Sequence, residues 1–186
     1  MAALLLLATG GVASEGWWSL QPLAKVDLPS DGLAKHPIDA FVQQRLAKDG
    51  LTPSPPAEPR TLIRRLHFDL LGLSPSPETV AEFVGNPTDP AYHQLIDRLL
   101  ASPRYGERWA RHWLDVARYG ESNGFEYNEP RRNAWPYRDW IIDSLNADMP
   151  YDEFARMQIA GDILRPGRKG AAAVGFLVAG THNTVL

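Results

Sequence analysis

The 186-residue chain contains no cysteine. Disulfides, thiolate-ligated zinc, iron–sulfur clusters, thiol catalysis and thioether-attached haem are thereby excluded for this chain. No apolar run approaches the roughly 20 residues that a bilayer span requires. Neither sign of charge dominates: the formal net charge is −3, and nothing marks a general nucleic-acid binder. Lysine is scarce, four residues against fifteen arginines. No stretch alternates apolar and polar residues long enough to read as a strand. Internal repeats, low-complexity tracts, a phosphate loop, a Gly-x-Gly-x-x-Gly fingerprint and a His-Glu-x-x-His pair are all missing. Ser122 lacks the Gly-x-Ser-x-Gly setting of a nucleophile elbow.

What is present is a helical pattern punctuated by proline. Apolar residues make up 44% of the chain and charged residues 22%, enough to build a core. Pro37, Pro77, Pro90, Pro103, Pro136 and Pro150 each precede a run of apolar residues at helical spacing. Proline suits the first helical turn, where its missing N–H would have no partner. Ser76, Asp89 and Ser102 before three of these prolines are good caps, whereas His36, Trp135 and Met149 are poor ones. A further apolar series, Leu62, Ile63, Leu66 and Leu70, marks another helix. Gly50, Gly72, Gly85, Gly120 and Gly161 are the expected stops. The fold class expected is all-α, an irregular multi-helix bundle of about seven short helices with one long loop, Gly120 to Asn133. Trp109, Trp113 and Trp140 are expected in its core.

Three segments follow from the same reading. Residues 1–14, an apolar run closed by Val12-Ala13-Ser14, suit a signal peptide. Residues 15–35 form an extended lead-in, and residues 36–186 a helical domain truncated at its C-terminal side. The expected location is extracytoplasmic, periplasmic or secreted.

Chemistry concentrates between Arg104 and Trp140. Nine of the 18 aromatic residues lie there, with seven arginines and six acids. On one helix Arg108, His112, Asp115 and Arg118 follow at spacings that share roughly one face. Two readings arise: Asp115 neutralising neighbouring guanidiniums beside an aromatic core, or a polar cleft for an anionic or sugar ligand. Arginine forks match carboxylate and sulfate oxygens. The candidate catalytic residues are Asp115, Glu121 and His112, with Asp115 and Glu121 as an acid/base pair of the glycosidase kind. The candidate ligand-binding residues are Arg108, Arg118, Trp113 and Tyr119. A metal at His112 and Asp115 would need Glu121 or Glu126 as a third ligand; no metal and no cofactor is expected.

Four ordered motifs carry a resemblance. They are Phe68-Asp69-Leu70-Leu71-Gly72-Leu73-Ser74-Pro75-Ser76-Pro77, the run from Tyr105 to Tyr119, Tyr137-Arg138-Asp139-Trp140, and Asn146 to Phe154 with Gln158-Ile159-Ala160-Gly161-Asp162. Together they resemble the domain of unknown function 1549, abundant in planctomycetes, and Trp17-Trp18-Ser19-Leu20-Gln21-Pro22-Leu23 resembles its usual lead-in. The resemblance implies a module of a large exported protein, with a cytochrome c domain often before it and a second uncharacterised domain usually after it. It carries over no catalytic residues. Three functions are therefore expected: an accessory or partner-binding module, glycan-associated in one version; part of a polysaccharide-acting enzyme; or a docking domain for a cytochrome c partner. The expected partners are the following domain of the same protein, a cytochrome c domain or protein, and polysaccharide, with no nucleic acid and no integral membrane span.

Overall fold

The computed structural model describes residues 17, 21–29, 36–124 and 129–181. Residues 1–14, expected as a signal peptide, lead-in residues 15, 16, 18–20 and 30–35, residues 125–128 with Glu126 among them, and the last five residues lie outside the described residues. The chain divides into two units, residues 1–56 and 57–186. In the first, α1 (Pro37–Lys48) is capped by His36, whose ring nitrogen accepts from the Ile38 N–H at 3.2 Å. His36 thus does work that Ser or Asp usually does, because its Nδ1 reaches the orphan donor of the first turn.

The second unit is all-α among its described residues, with one isolated antiparallel bridge between Ser122 and Pro130. Its helices are α2 (Pro59–Leu71), α3 (Pro77–Gly85), α4 (Asp89–Leu100), α5 (Pro103–Val116), α6 (Trp135–Asn146), α7 (Tyr151–Leu164) and α8 (Arg168–Ala173), followed by a 3-10 helix, Val174–Val178. Among the described residues the count is eight with α1, one more than the sequence pattern predicts, because the small-residue run after Gly167 also winds into a helix. Ser76, Thr88 and Ser102 each accept a backbone N–H at the start of α3, α4 and α5. Thr88, not Asp89, caps α4; Asp89 lies inside the first turn, where its charge complements the helix dipole.

Two apolar clusters hold this unit together. Ile63, Phe83, Leu95 and Leu99 join α2, α3 and α4. Ala110, Tyr137, Trp140, Ile141, Phe154 and Met157, with Ala173 and Ala179, join α5 to the C-terminal helices. Trp140 stacks on Phe154 with ring centroids 5.3 Å apart. His67 is buried on α2, its Nε2 without a partner among the described residues, and burial pushes its pKa down.

Two features depart from the pattern read in the sequence. Trp109 is 40% exposed rather than in the core. The stripe of α5 that faces α6 is built on Gly106 and Ala110, both buried. The Asn146 side chain lies where a Cβ on Gly106 would go, accepts the Gly106 N–H at 2.8 Å and donates to the Pro103 carbonyl. This small-residue seam rotates α5 so that Trp109 and Val116 turn outward. The second departure is the end of α5. Arg118, not Gly120, takes the left-handed conformation, with φ +54°, and the Tyr119 N–H closes on the Leu114 carbonyl at 2.9 Å. This is a Schellman stop with arginine at the position glycine usually fills. Similarly, α7 does not end at Gly161: it kinks at Ala160 and continues to Leu164.

Candidate functional site

Three cavities in the second unit take up four of the candidate residues, Arg108, His112, Trp113 and Tyr119. Between the C-terminal end of α2 and α5, Asp69, Gly72, Arg104, Glu107, Arg108 and Arg111 border a cleft of about 340 Å³. Arg108 lies here, its Cδ where a Cβ on Gly72 would sit, and its buried Nε has no hydrogen-bond partner among the described residues. Arg108 is thus part of the α2–α5 junction and forms no ion pair with Asp115 among the described residues.

The second cavity is an apolar groove of about 410 Å³. Trp109, His112, Trp113 and Val116 of α5 form one wall, Ser144 and Leu145 of α6 the floor, and Met149, Tyr151 and Phe154 the other wall. Trp113 meets Phe154 edge to face at 4.9 Å, and His112 meets Trp109 edge to face at 5.5 Å. The polar atoms at its base are engaged. The Ser144 hydroxyl donates to the Trp140 carbonyl, and the Trp113 N–H donates to Gln158 Oε1 at 2.9 Å and to the Tyr137 oxygen at 3.1 Å. The Tyr137 hydroxyl in turn donates to Gln158 Oε1 at 2.7 Å, and the Gln158 amide donates to the Phe154 carbonyl. This buried network ties α5, α6 and α7 behind the groove.

The third cavity, about 580 Å³, lies between the loop before α6 and the α8 region. Tyr119 borders it, its hydroxyl donating to Glu121 at 3.0 Å. Glu121 also pairs with Arg138, which in turn contacts Asp139. Arg131 donates to the carbonyls of Gly120, Ala179 and Val178, and so fastens the long loop to the end of the 3-10 helix.

Asp115 is exposed and makes no ion pair or side-chain hydrogen bond among the described residues, so the Arg–Asp–Arg ladder does not form. Arg118 is also exposed. Neither Asp115 nor Glu121 lines any of these three cavities. Among the described residues no group of three or more His, Asp or Glu side chains is placed to hold a metal ion. No described helix is long and apolar enough to cross a membrane. The residues that sequence reasoning missed are Arg131, Arg132, Arg168, Asn146 and Gln158. Gln158 alone had a local signal, a polar residue in phase with buried Phe154, Met157 and Gly161.

The tyrosines make a pH prediction. Burial, then the hydrogen bond and charge of Glu121, push Tyr119 up to about 12, and burial raises Tyr137. An unfolded tyrosine ionises near pH 10. The fold therefore holds these protons where the unfolded chain releases them. The contribution of Tyr119 to stability is intact below about pH 10 and is lost as pH rises toward about 12, and that of Tyr137 is lost likewise above its ordinary value. Melting temperatures should fall over that interval, and Tyr119→Phe should make the fall shallower.

No curated protein and no solved structure matches the chain. One family does: the sequence pattern described as PSCyt2, protein of unknown function (DUF1549), matches residues 37–185, and it spans the helices, the groove and both arginine-lined cavities. The chain therefore belongs to the DUF1549 family.

Proposed function

We propose that this chain is an accessory docking module, and that the groove between α5, α6 and α7 seats an apolar segment of a partner domain. The second domain that usually follows in relatives of this resemblance is the partner proposed. The observation that carries this reading is the exposure of large apolar side chains along one concave surface: Val116 is 73% exposed, Tyr151 71% and Trp109 40%. Contiguous apolar surface of this kind marks interaction sites on folded proteins. Tryptophan and tyrosine beside a pocket are the residue types that dominate binding energy at interfaces.

The groove is less suited to a sugar. Its base is carbon, and the Ser144 and Trp113 donors already point into the protein. A sugar hydroxyl seated on that base would lose water without gaining a partner from Ser144 or Trp113. A leucine, phenylalanine or methionine side chain loses nothing of the kind.

The test uses the helical module and the following domain as separate chains. They should associate, and Trp109→Glu with Tyr151→Glu should weaken the association by about a hundredfold, the scale of a lost hot-spot pair. Because both side chains are exposed, the melting temperature of the module should be unchanged. Association that survives the double substitution would refute the groove as the docking surface.

A further inference from the structure

The third cavity carries a second, independent inference. Its lining includes three guanidiniums, those of Arg131, Arg132 and Arg168, and no carboxylate. They arrive from two places distant in the chain, the loop before α6 and the start of α8. Among the described residues none of the three pairs with an acid. Arg131 is held in place by three backbone carbonyls, which fix its position and leave its charge unneutralised. Arg132 and Arg168 are exposed at the rim, free to close on a ligand.

The rest of the wall adds to this field. Helix α6 begins at the cavity with Ala134 and Pro136 in the lining, no capping side chain and no acid in its first turn. The positive end of its dipole therefore borders the space. The nearest carboxylate partner of a lining residue, Glu121, is itself paired with Arg138. Ala171, Ala172 and Gly175 supply an apolar floor, which excludes water and strengthens charge–charge attraction.

We infer that this cavity binds a tetrahedral oxyanion, a sulfate or phosphate ester group carried on a compact ligand. A planar carboxylate is satisfied by one bidentate arginine. Three guanidiniums, two from the loop before α6 and one from α8, match a group with three terminal oxygens and a charge of −1 to −2. The volume, about 580 Å³, leaves room for a sugar-sized body behind the anion.

The experiment is a thermal-shift and calorimetric titration of the whole chain with sodium sulfate, sodium phosphate, sodium acetate and sodium chloride at matched ionic strength. Sulfate and phosphate should raise the melting temperature above the chloride and acetate controls. In Arg132→Gln with Arg168→Gln, that rise should disappear, with affinity weakened by about tenfold or more for each guanidinium removed. Both side chains are exposed, so the variant should melt like the parent in chloride. Glucose 6-sulfate and glucose 6-phosphate then separate the two ester classes, and one or both should bind more tightly than the free anion. An equal response from the double variant, an acetate response as large as that of sulfate, or no response beyond chloride would each overturn the inference. None of these outcomes depends on the docking groove, which shares no residue with this cavity.

Discussion

Gly170→Ala should destabilise the second unit by about 4 kcal/mol or more, among the large values reserved for a defined clash. Gly170 is buried where α8 crosses α7. A Cβ there would lie 2.0 Å from the Arg165 carbonyl oxygen and 2.2 Å from that of Gly161. Both obstacles are backbone, so no side chain can rotate to make room. The two helices would have to separate, uncovering Ala173 and Met157 in the core. The control is Gly85→Ala at the end of α3, whose added Cβ would meet nothing. That change should be neutral or slightly stabilising, because alanine is the better helix former by about 1 kcal/mol. Chemical denaturation of the pair measures the difference, and similar midpoints would mean that α7 and α8 do not cross at these glycines.

The second large effect is expected at Trp113. Its ring packs edge-on against Phe154, and its N–H feeds the Gln158–Tyr137 network. Trp113→Ala removes both and should cost about 3–5 kcal/mol. Trp113→Phe keeps most of the packing and loses the donor, so it should cost only about 1 kcal/mol. Gln158→Leu is the reciprocal test. It leaves the buried Tyr137 hydroxyl without its acceptor and the Trp113 N–H with the Tyr137 oxygen alone, at about 1–3 kcal/mol. A double-mutant cycle between Trp113→Phe and Gln158→Leu should show coupling, since both act on one hydrogen bond.

The helix starts were legible because proline acts locally. Pro37, Pro77 and Pro103 each occupy the first position of a helix, whatever the tertiary context, whereas Pro59, which also opens one, was not read as a start. The burial of Trp140 was legible from helical spacing, as was the packing of the partly buried Trp113 against the core. The orientation of α5 was not. Spacing shows which residues share a face, and size suggested that Trp109 faces inward; the interface instead selects Gly106 and Ala110, because α6 and Asn146 approach too closely for larger side chains. Arg118 in the left-handed region was equally hidden, since local preference points to Gly120 two residues later.

The candidate site was only partly legible for a related reason. Arg108, His112 and Asp115 are neighbours on one helix, and periodicity reads them as a unit. Packing separates them: α2 takes Arg108, the groove takes His112, and Asp115 faces water. Tyr119 and Glu121 do meet, through a hydrogen bond, but beside a different cavity, which Tyr119 borders and Glu121 does not line. Arg168 joins that cavity from a distant part of the chain, and no local pattern announces such a convergence.

The docking claim is tested most directly by hydroxyl-radical footprinting of the groove. Trp109, Met149 and Tyr151 are oxidisable, and all three line it. The comparison is between this chain alone and the same chain joined to the domain that follows in its relatives. If the groove seats that domain, oxidation of the three side chains should drop severalfold in the joined protein, while Tyr105, outside the groove, keeps its rate. Equal oxidation of Trp109 and Tyr151 in the two proteins would contradict the docking role.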